Sequence, residues 1–226
     1  MDSNLQLRRA AFHFLNAIIV ICIVQVMRVS TTVLDNVILY VGGTIVALDH
    51  LRVLFYHLAA SNIWSIFSWI WIAVVDWFES VHFIRKEEAG KLTAGTSYVL
   101  GIAVVYFGTV HLLGSPVYIP FMAVIILATG DPVARITGIS WRGPTMFRKK
   151  TWAGFFGFVV ASMSMLMLTN FLTLWYPLYP SCDFVLLRGQ FVGCIVGALV
   201  EVYAPSNDNF FIPVFAGGIM YLAIVL

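Results

Sequence analysis

Of the 226 residues in this chain, 61% are hydrophobic and 11% are charged, and the mean hydropathy is +0.92. Soluble proteins average about 45 to 50% apolar and about 25% charged residues, so this composition excludes a soluble domain and indicates a single membrane bundle over residues 1–226. The net charge of +2 is small and the cations stand beside hydrophobic segments, which excludes nucleic acid as a partner.

Apolar runs long enough to cross a membrane recur between short polar breaks. A helix needs about 20 residues to span the roughly 30 Å hydrocarbon core. Pro116, Pro120 and the Asp131-Pro132 pair mark helix ends, because proline cannot donate to the preceding turn. The predicted fold is an all-α polytopic transmembrane bundle of seven or eight spans, over residues 10–27, 33–48, 53–75, 94–113, 116–130, 152–174, 189–203 and 210–226.

The loops between the later spans fall into two groups, because each span carries the chain to the opposite face of the membrane. Loops 76–93, 131–151 and 204–209 share one face, and together they hold most of the Lys and Arg residues. Excess Lys and Arg marks the cytoplasmic side, so we expect this face, with any active site on it, in the cytoplasm. The membrane would be the cell membrane, or the endoplasmic reticulum in a eukaryote. The side on which the amino terminus lies stays open.

Two stretches in the first half of the chain carry weak candidates. His13 lies in the first apolar run, where a histidine more often makes a hydrogen bond within the bundle than acts in catalysis. Arg85, Glu88 and Lys91 belong to a loop of alternating charge, for which the default interpretation is a solvated face with local ion pairs.

The stretch Gly130-Asp131-Pro132 begins the polar block that follows the fifth run. An Asp N-cap with proline at the first helical position is one interpretation, since it satisfies amides at a helix start. The alternative is a metal ligand. Mg²⁺ on a triphosphate keeps several waters and takes one or two protein carboxylates, so an acid facing a basic loop at a membrane edge suits it. Asp131 is therefore the first candidate metal ligand.

Three consecutive cations, Arg148, Lys149 and Lys150, precede the sixth run. Cytoplasmic anchoring is the default role for such a cluster. Thr151 and Gly154 follow at the expected helix start, where amides, a hydroxyl and a close backbone approach could join the cations in binding phosphate. Lys150 is the cation that we expect to act in the site.

Near the carboxyl end, Glu201 lies inside an apolar run and Asp208 and Asn209 follow in an expected turn. Asn and Asp between helices are ordinary turn residues, whereas an acid inside a membrane helix is a functional candidate by default. Asp208 could supply a second carboxylate for metal. Glu201 could position or deprotonate an attacking alcohol if it lies within hydrogen-bond reach.

Taken together, these motifs resemble the family of polyprenol, dolichol and phytol kinases. That family also includes CTP-dependent diacylglycerol kinases and is distantly similar to phosphatidate cytidylyltransferases. The resemblance covers most of the chain and follows the family's order and spacing. Its motifs here are LRRAAFHFLN (7–16), RKEEAGKLTAGTSYVLG (85–101), GDPVARITG (130–138), RKKTWAGFFG (148–157) and EVYAPSNDNFFIP (201–213).

The resemblance implies a membrane kinase that uses CTP and Mg²⁺ to phosphorylate the hydroxyl of a long lipid alcohol. Carried over by position, Asp131 and Asp208 would bind the metal and the triphosphate. Lys149 or Lys150 would neutralise the phosphates, and Glu201 would complete the catalytic set. Phosphoryl transfer needs mainly positioning and charge stabilisation, which such a set supplies. The nucleotide-binding candidates are Gly130, Arg135, Arg148, Lys149, Thr151, Gly154 and Asn209.

The expected partners are a lipid alcohol, a nucleotide and membrane lipids, and the oligomeric state stays open. Polyprenol or dolichol is the expected substrate, with phytol or diacylglycerol as alternatives inside the same family. A cytidylyltransferase would use the same nucleotide and metal but release pyrophosphate. A non-catalytic lipid transporter, with the buried acid as a coupling site, is the alternative of a different class.

Overall fold

A computed structural model describes residues Leu15 and Ile19 and the ranges 30–60, 90–141, 143–173, 183–204 and 207–225. Within them the chain is mostly helical, and six helices are long and apolar enough to cross a membrane, which confirms the all-α membrane class. The predicted count of seven or eight spans is not reached in these residues. Most of the first predicted run lies outside them, as do His13, Arg85 and Glu88.

The elements follow one another with short connections. We label the α-helices and strands in chain order and note two π-helical segments between them. They are α1 (Thr31–Asn36), a π-helical segment (Val37–Gly42), α2 (Gly43–Ala60), α3 (Ala94–Tyr106), a second π-helical segment (Phe107–Leu112), α4 (Tyr118–Ser140), β1 (Thr145–Phe147), β2 (Lys150–Thr151), α5 (Trp152–Thr173), α6 (Phe184–Tyr203) and α7 (Asp208–Val225).

The chain divides into two compact units, and each is described by itself. Among the described residues, one unit covers Thr32–Leu100 and the other contains Gly101 and the residues after it. Helix α3 begins in the first unit and ends in the second.

In the Thr32–Leu100 unit, the break predicted between runs 33–48 and 53–75 is wrong. One candidate span, Thr31–Leu58, passes through it without a loop. Asp49 and Arg52 lie one helical turn apart, each 8% exposed, and the Arg52 Nε donates to Asp49 Oδ1 at 2.7 Å. Because the two charges satisfy each other, the helix continues where the sequence had indicated a polar break.

The same carboxylate fastens the start of α3. Asp49 Oδ2 accepts from the backbone N–H of Thr93 at 2.8 Å and from the Thr96 hydroxyl at 2.5 Å. Thr93 in turn accepts from the Thr96 amide at 3.2 Å, as an N-cap residue does. An anion at a helix N-terminus is favourable, so this cluster ties α2 to the N-terminus of α3.

Helix α4 is the centre of the second unit. It packs against α5, α6 and α7, and its side chains from Ile119 to Pro132 are all buried. A helix that is apolar on every side has to be enclosed by other helices, and α4 is the enclosed helix of this unit. The predicted end at Asp131-Pro132 is wrong, because the helix continues to Ser140 with Pro132 inside it. Proline removes one hydrogen bond of the helix, and packing by neighbouring helices makes this tolerable.

Small residues let α4 and α5 approach closely. A Cβ added at Gly130 would stand 2.6 Å from the Phe158 ring, and one at Gly154 would stand 2.9 Å from the Ala134 carbonyl oxygen. Between α5 and α6, the side-chain amides of Asn170 and Gln190 donate to each other's oxygens at 2.9 and 3.0 Å. Buried amides paired in this way hold the helices in one register.

The connection from α4 to α5 contains a hairpin that the all-α prediction lacks. Strands β1 and β2 pair antiparallel, with Phe147 opposite Lys150, and the chain reverses through Arg148, whose φ is 51°. Thr151 then caps α5, since its hydroxyl accepts from the Gly154 amide at 3.1 Å. The predicted loop 131–151 is therefore the last turns of α4 followed by this hairpin.

Candidate active site

A buried ion pair joins the hairpin to the end of α6. Glu201 lies in the last turn of α6 and is 4% exposed, and its Oε1 accepts a hydrogen bond from Lys150 Nζ. The lysine side chain remains 38% exposed. Two residues predicted for the catalytic set are therefore in direct contact, with the carboxylate enclosed and the lysine side chain partly exposed.

Two further carboxylates lie within electrostatic range of the same acid. Asp131 of α4 is 5% exposed, and Asp208 opens α7. Both lie close enough to Glu201 to act on it electrostatically. The four residues of the predicted catalytic set thus come from three helices and the hairpin and meet near one end of the bundle.

The cluster is rich in acids. It brings three carboxylates near one ammonium group, and like charges in a site of low dielectric repel one another. We refer to Asp131, Lys150, Glu201 and Asp208 as the carboxylate cluster.

The donor set suits a magnesium ion that is held partly by a substrate. In the described residues no three His, Cys, Asp or Glu side chains are arranged to hold a metal ion alone. Mg²⁺ needs only one or two protein carboxylates when phosphate oxygens and water complete its six ligands. Asp131 and Asp208 carry the donor chemistry for that role, whereas a site built for a structural metal would need more protein ligands.

The turn before α7 is partly as predicted. Asn207 has a φ of 61°, and its carbonyl accepts from the amides of Phe210 and Phe211 at 2.8 and 3.2 Å. Asp208 and Asn209 already belong to the helix, and the Asp208 Oδ1 accepts from the Asn209 amide at 3.0 Å. Asn209 is 8% exposed and lies next to the carboxylate cluster in sequence. An acid in the first turn of a helix is stabilised by the helix dipole.

The residues expected to bind phosphate through the start of α5 have other contacts here. The Thr151 hydroxyl and the Gly154 amide are bonded to each other, and Gly154 is buried against α4. Gly130 is likewise explained by its closeness to the Phe158 ring. In this structure these glycines serve helix packing.

The remaining predicted cations occupy different environments. Arg148 and Lys149 are exposed at the hairpin tip, where the Arg148 guanidinium carbon lies 5.2 Å from the centre of the Phe147 ring. Arg135 is partly buried and lies one turn after Asp131 on the same face of α4. Lys91 is exposed in the other unit, and its carbonyl accepts from Arg52 at 2.5 Å.

Sequence reasoning missed the buried charges of the first unit and the buried amide pair of the second. The signal for Asp49 and Arg52 was present, because opposite charges three residues apart inside an apolar run indicate a pair within a helix. The Asn170–Gln190 pair had no comparable signal, since the two residues lie on different helices and single amides are common in membrane segments.

Comparisons with known proteins add no information about this site. No protein-family model matches the chain, and neither a curated protein nor a solved structure matches it.

Proposed function

We propose that the protein is a membrane-embedded kinase that transfers the γ-phosphoryl group of CTP to the hydroxyl of a long-chain lipid alcohol of the polyprenol or dolichol type. The observation that carries this proposal is the carboxylate cluster, in which Lys150 contacts Glu201 and two more acids lie near. The motif resemblance supports the same chemistry independently of the geometry. Diacylglycerol and phytol are the alternative acceptors.

Each member of the cluster has a part in this reaction. Asp131 and Asp208 would hold Mg²⁺, which when bound offsets the negative charge of the transferring phosphoryl group. Glu201 accepts the proton of the substrate hydroxyl while the hydroxyl oxygen forms a bond to the γ-phosphorus. The bond from that phosphorus to the bridging oxygen breaks, CDP leaves, and the lipid phosphate remains in the membrane.

Lys150 acts in two states. In the structure its ammonium group is bonded to Glu201 and occupies a carboxylate oxygen of the proposed base. A triphosphate entering the site offers oxygens of higher charge, so Lys150 moves to them and leaves Glu201 able to take a proton. Binding of the nucleotide therefore prepares the base. Because Lys150 is partly exposed and belongs to a hairpin, this change requires no rearrangement of the helices.

The location of the cluster suits a lipid acceptor. Glu201 lies in the last turn of an apolar helix and Asp208 in the first turn of another. The hydroxyl of a membrane lipid alcohol lies at the ends of such helices while its chain stays in the hydrocarbon. The excess of Lys and Arg in the predicted loops supports a cytoplasmic location for this face, where CTP is found. On this proposal the membrane is the cell membrane, or the endoplasmic reticulum in a eukaryote.

The test is an incubation of the purified protein with Mg²⁺ and γ-labelled CTP or ATP. Polyprenol, dolichol, phytol and diacylglycerol are offered separately, and label is followed into the lipid. We expect label in a polyprenol or dolichol from CTP, and loss of transfer in Asp131→Asn and Asp208→Asn. The matched control is Asp183→Asn, an exposed acid at the start of α6 whose capping role asparagine retains.

Three outcomes would overturn the proposal. Label released as pyrophosphate would make the protein a cytidylyltransferase. No nucleotide consumption with any lipid would favour a transporter. Transfer that persists in both Asp variants, with the proteins folded, would remove the carboxylate cluster from the chemistry.

A further inference from the structure

The hairpin carries a second chemical feature that the proposed reaction does not use. Its cross-strand partners Phe147 and Lys150 share one face, since directly paired residues of an antiparallel ladder point the same way. That face packs on the end of α6. Phe147 lies against Tyr203, with ring centres 5.1 Å apart, and Lys150 reaches Glu201. The turn residues Arg148 and Lys149 are exposed at the tip of the hairpin.

A hairpin that connects two candidate spans is expected at a membrane surface. This hairpin connects α4 and α5, both apolar enough to span, and each of these helices ends beside it. Large aromatic side chains surround it and are exposed to a degree unusual for their size, with Trp141 at 75% and Trp152 at 42%. Tryptophan and tyrosine concentrate at the level of lipid headgroups, where an apolar ring and a polar group are both accommodated.

The cations at the tip have no acidic partner in the part of the chain that the structure describes. The two ion pairs found there, Asp49–Arg52 and Lys150–Glu201, do not include Arg148 or Lys149. Stacking on Phe147 holds the Arg148 guanidinium at the surface. Adjacent exposed cations that are flanked by exposed aromatic side chains are complementary to an anionic phospholipid surface.

We propose that the hairpin tip binds the phosphate of an anionic phospholipid through Arg148 and Lys149, and that this contact holds the hairpin against the end of α6. The bound lipid is a component of the surrounding bilayer and is distinct from any substrate. Because Lys150 is the next residue along the chain, anchoring of the tip keeps its ammonium group within reach of Glu201. The composition of the membrane thereby controls the position of the cation in the carboxylate cluster. The proposal does not rest on kinase activity.

The test measures lipid binding without nucleotide. Phosphatidylglycerol is titrated into the purified full-length chain in detergent, and bound lipids are counted by native mass spectrometry, with phosphatidylcholine as the neutral comparison. In the double variant R148Q/K149Q, glutamine keeps the side-chain length and backbone preference while the charge is removed. We expect the apparent Kd for the first phosphatidylglycerol to rise about fivefold for each cation removed, hence about 25-fold.

The matched control is Arg188→Gln, an exposed cation near the other end of α6. It should leave the first phosphatidylglycerol Kd within about twofold. An unchanged Kd in R148Q/K149Q, or an equal rise in Arg188→Gln, would refute the proposal. Inorganic phosphate in large excess provides a further arm. If it displaces the phospholipid, the tip binds soluble phosphate, and the assignment to a lipid surface is wrong.

The second part of the proposal is tested by hydrogen exchange in bilayer discs. Amides of Lys150 and Thr151 should exchange more slowly in discs containing phosphatidylglycerol than in discs of phosphatidylcholine. R148Q/K149Q should show no such difference. Equal exchange of the wild-type chain in both discs would show that headgroups do not hold the hairpin.

Discussion

Lys150 and Glu201 form an ion pair, and we expect removal of one partner to affect stability differently from removal of the other. Lys150→Met keeps the apolar stem but leaves Glu201 buried beside Asp131 and Asp208 without its hydrogen-bonded cation. Glu201→Gln instead removes the buried charge and keeps a group that accepts from Lys150. We expect the first change to destabilise the protein and the second to be neutral or stabilising.

The magnitude follows from how far each partner is buried. Removing one partner of a fully buried pair costs about 3 to 5 kcal/mol. Because the Lys150 side chain is 38% exposed, water replaces part of its contribution, and the loss falls to about 1 to 2 kcal/mol. For a chain of this size, about 1 kcal/mol moves the midpoint of thermal unfolding by about 2 to 4 °C. Lys150→Met should therefore lower the midpoint by about 2 to 8 °C.

The assay is thermal unfolding in detergent followed by far-ultraviolet circular dichroism, on the two single variants and on Lys150→Met/Glu201→Gln. In the double variant the midpoint should return towards that of the wild type, because no uncompensated buried charge remains in the pair. Lys149→Met is the matched control, since the neighbouring cation is exposed at the hairpin tip and should contribute less than about 0.5 kcal/mol. A Lys150→Met protein as stable as the wild type, or a double variant no better than Lys150→Met, would refute this reasoning.

Three further substitutions probe the elements that hold each unit together. Asp49→Asn leaves a buried arginine without its carboxylate, and hydrogen exchange at the start of α3 should show local destabilisation by about 2 to 4 kcal/mol. Gly130→Ala places a methyl group against the Phe158 ring, so the thermal midpoint should fall by an amount equivalent to about 1 to 3 kcal/mol, with recovery in Gly130→Ala/Phe158→Leu. Asn170→Leu removes the amide partner of Gln190 and should cost about 1 to 3 kcal/mol in the same melting assay, whereas replacing both amides by leucine should be close to neutral.

The sequence predicts the later spans well because their boundaries depend on local chemistry. The expected runs 94–113 and 152–174 correspond to the candidate spans Ala94–Leu112 and Trp152–Leu172. In these segments hydrophobic length alone determines what can enter the membrane. Thr151 marks the start of α5 because a threonine cap acts on the next few residues.

The two boundaries that sequence reasoning placed wrongly share one physical cause. At Asp49 and at Asp131 an acid interrupts an apolar run, and each acid was interpreted as a break between elements. In the structure both lie inside helices, with the side chain satisfied or enclosed by groups distant in the sequence. Such groups cannot be identified from local patterns, so an acid inside a helix and an acid at its end look alike.

The members of the carboxylate cluster could be proposed from the sequence, but their arrangement could not. Acids and cations inside a membrane chain are functional candidates by default, which puts Asp131, Lys150, Glu201 and Asp208 among the candidates. The contact of Lys150 with Glu201 depends on the turn of a hairpin, and no pattern of hydrophobic residues predicts that hairpin. The tight turn needs Arg148 in a left-handed conformation, which a sequence does not mark when the residue is not glycine.

The members of the carboxylate cluster belong to structural elements that are enclosed to different degrees. This difference affects how the proposed reaction would proceed. Asp131 belongs to α4, whose backbone is pressed against α5 at Gly154, so its position is set by helix packing. Lys150 belongs to a short hairpin and is partly exposed. A metal ligand has to be held within a fraction of an ångström, whereas a cation that passes from an acid to an incoming phosphate has to move. The fold thus places the acid proposed to hold metal on its most enclosed helix and the cation proposed to move on its hairpin.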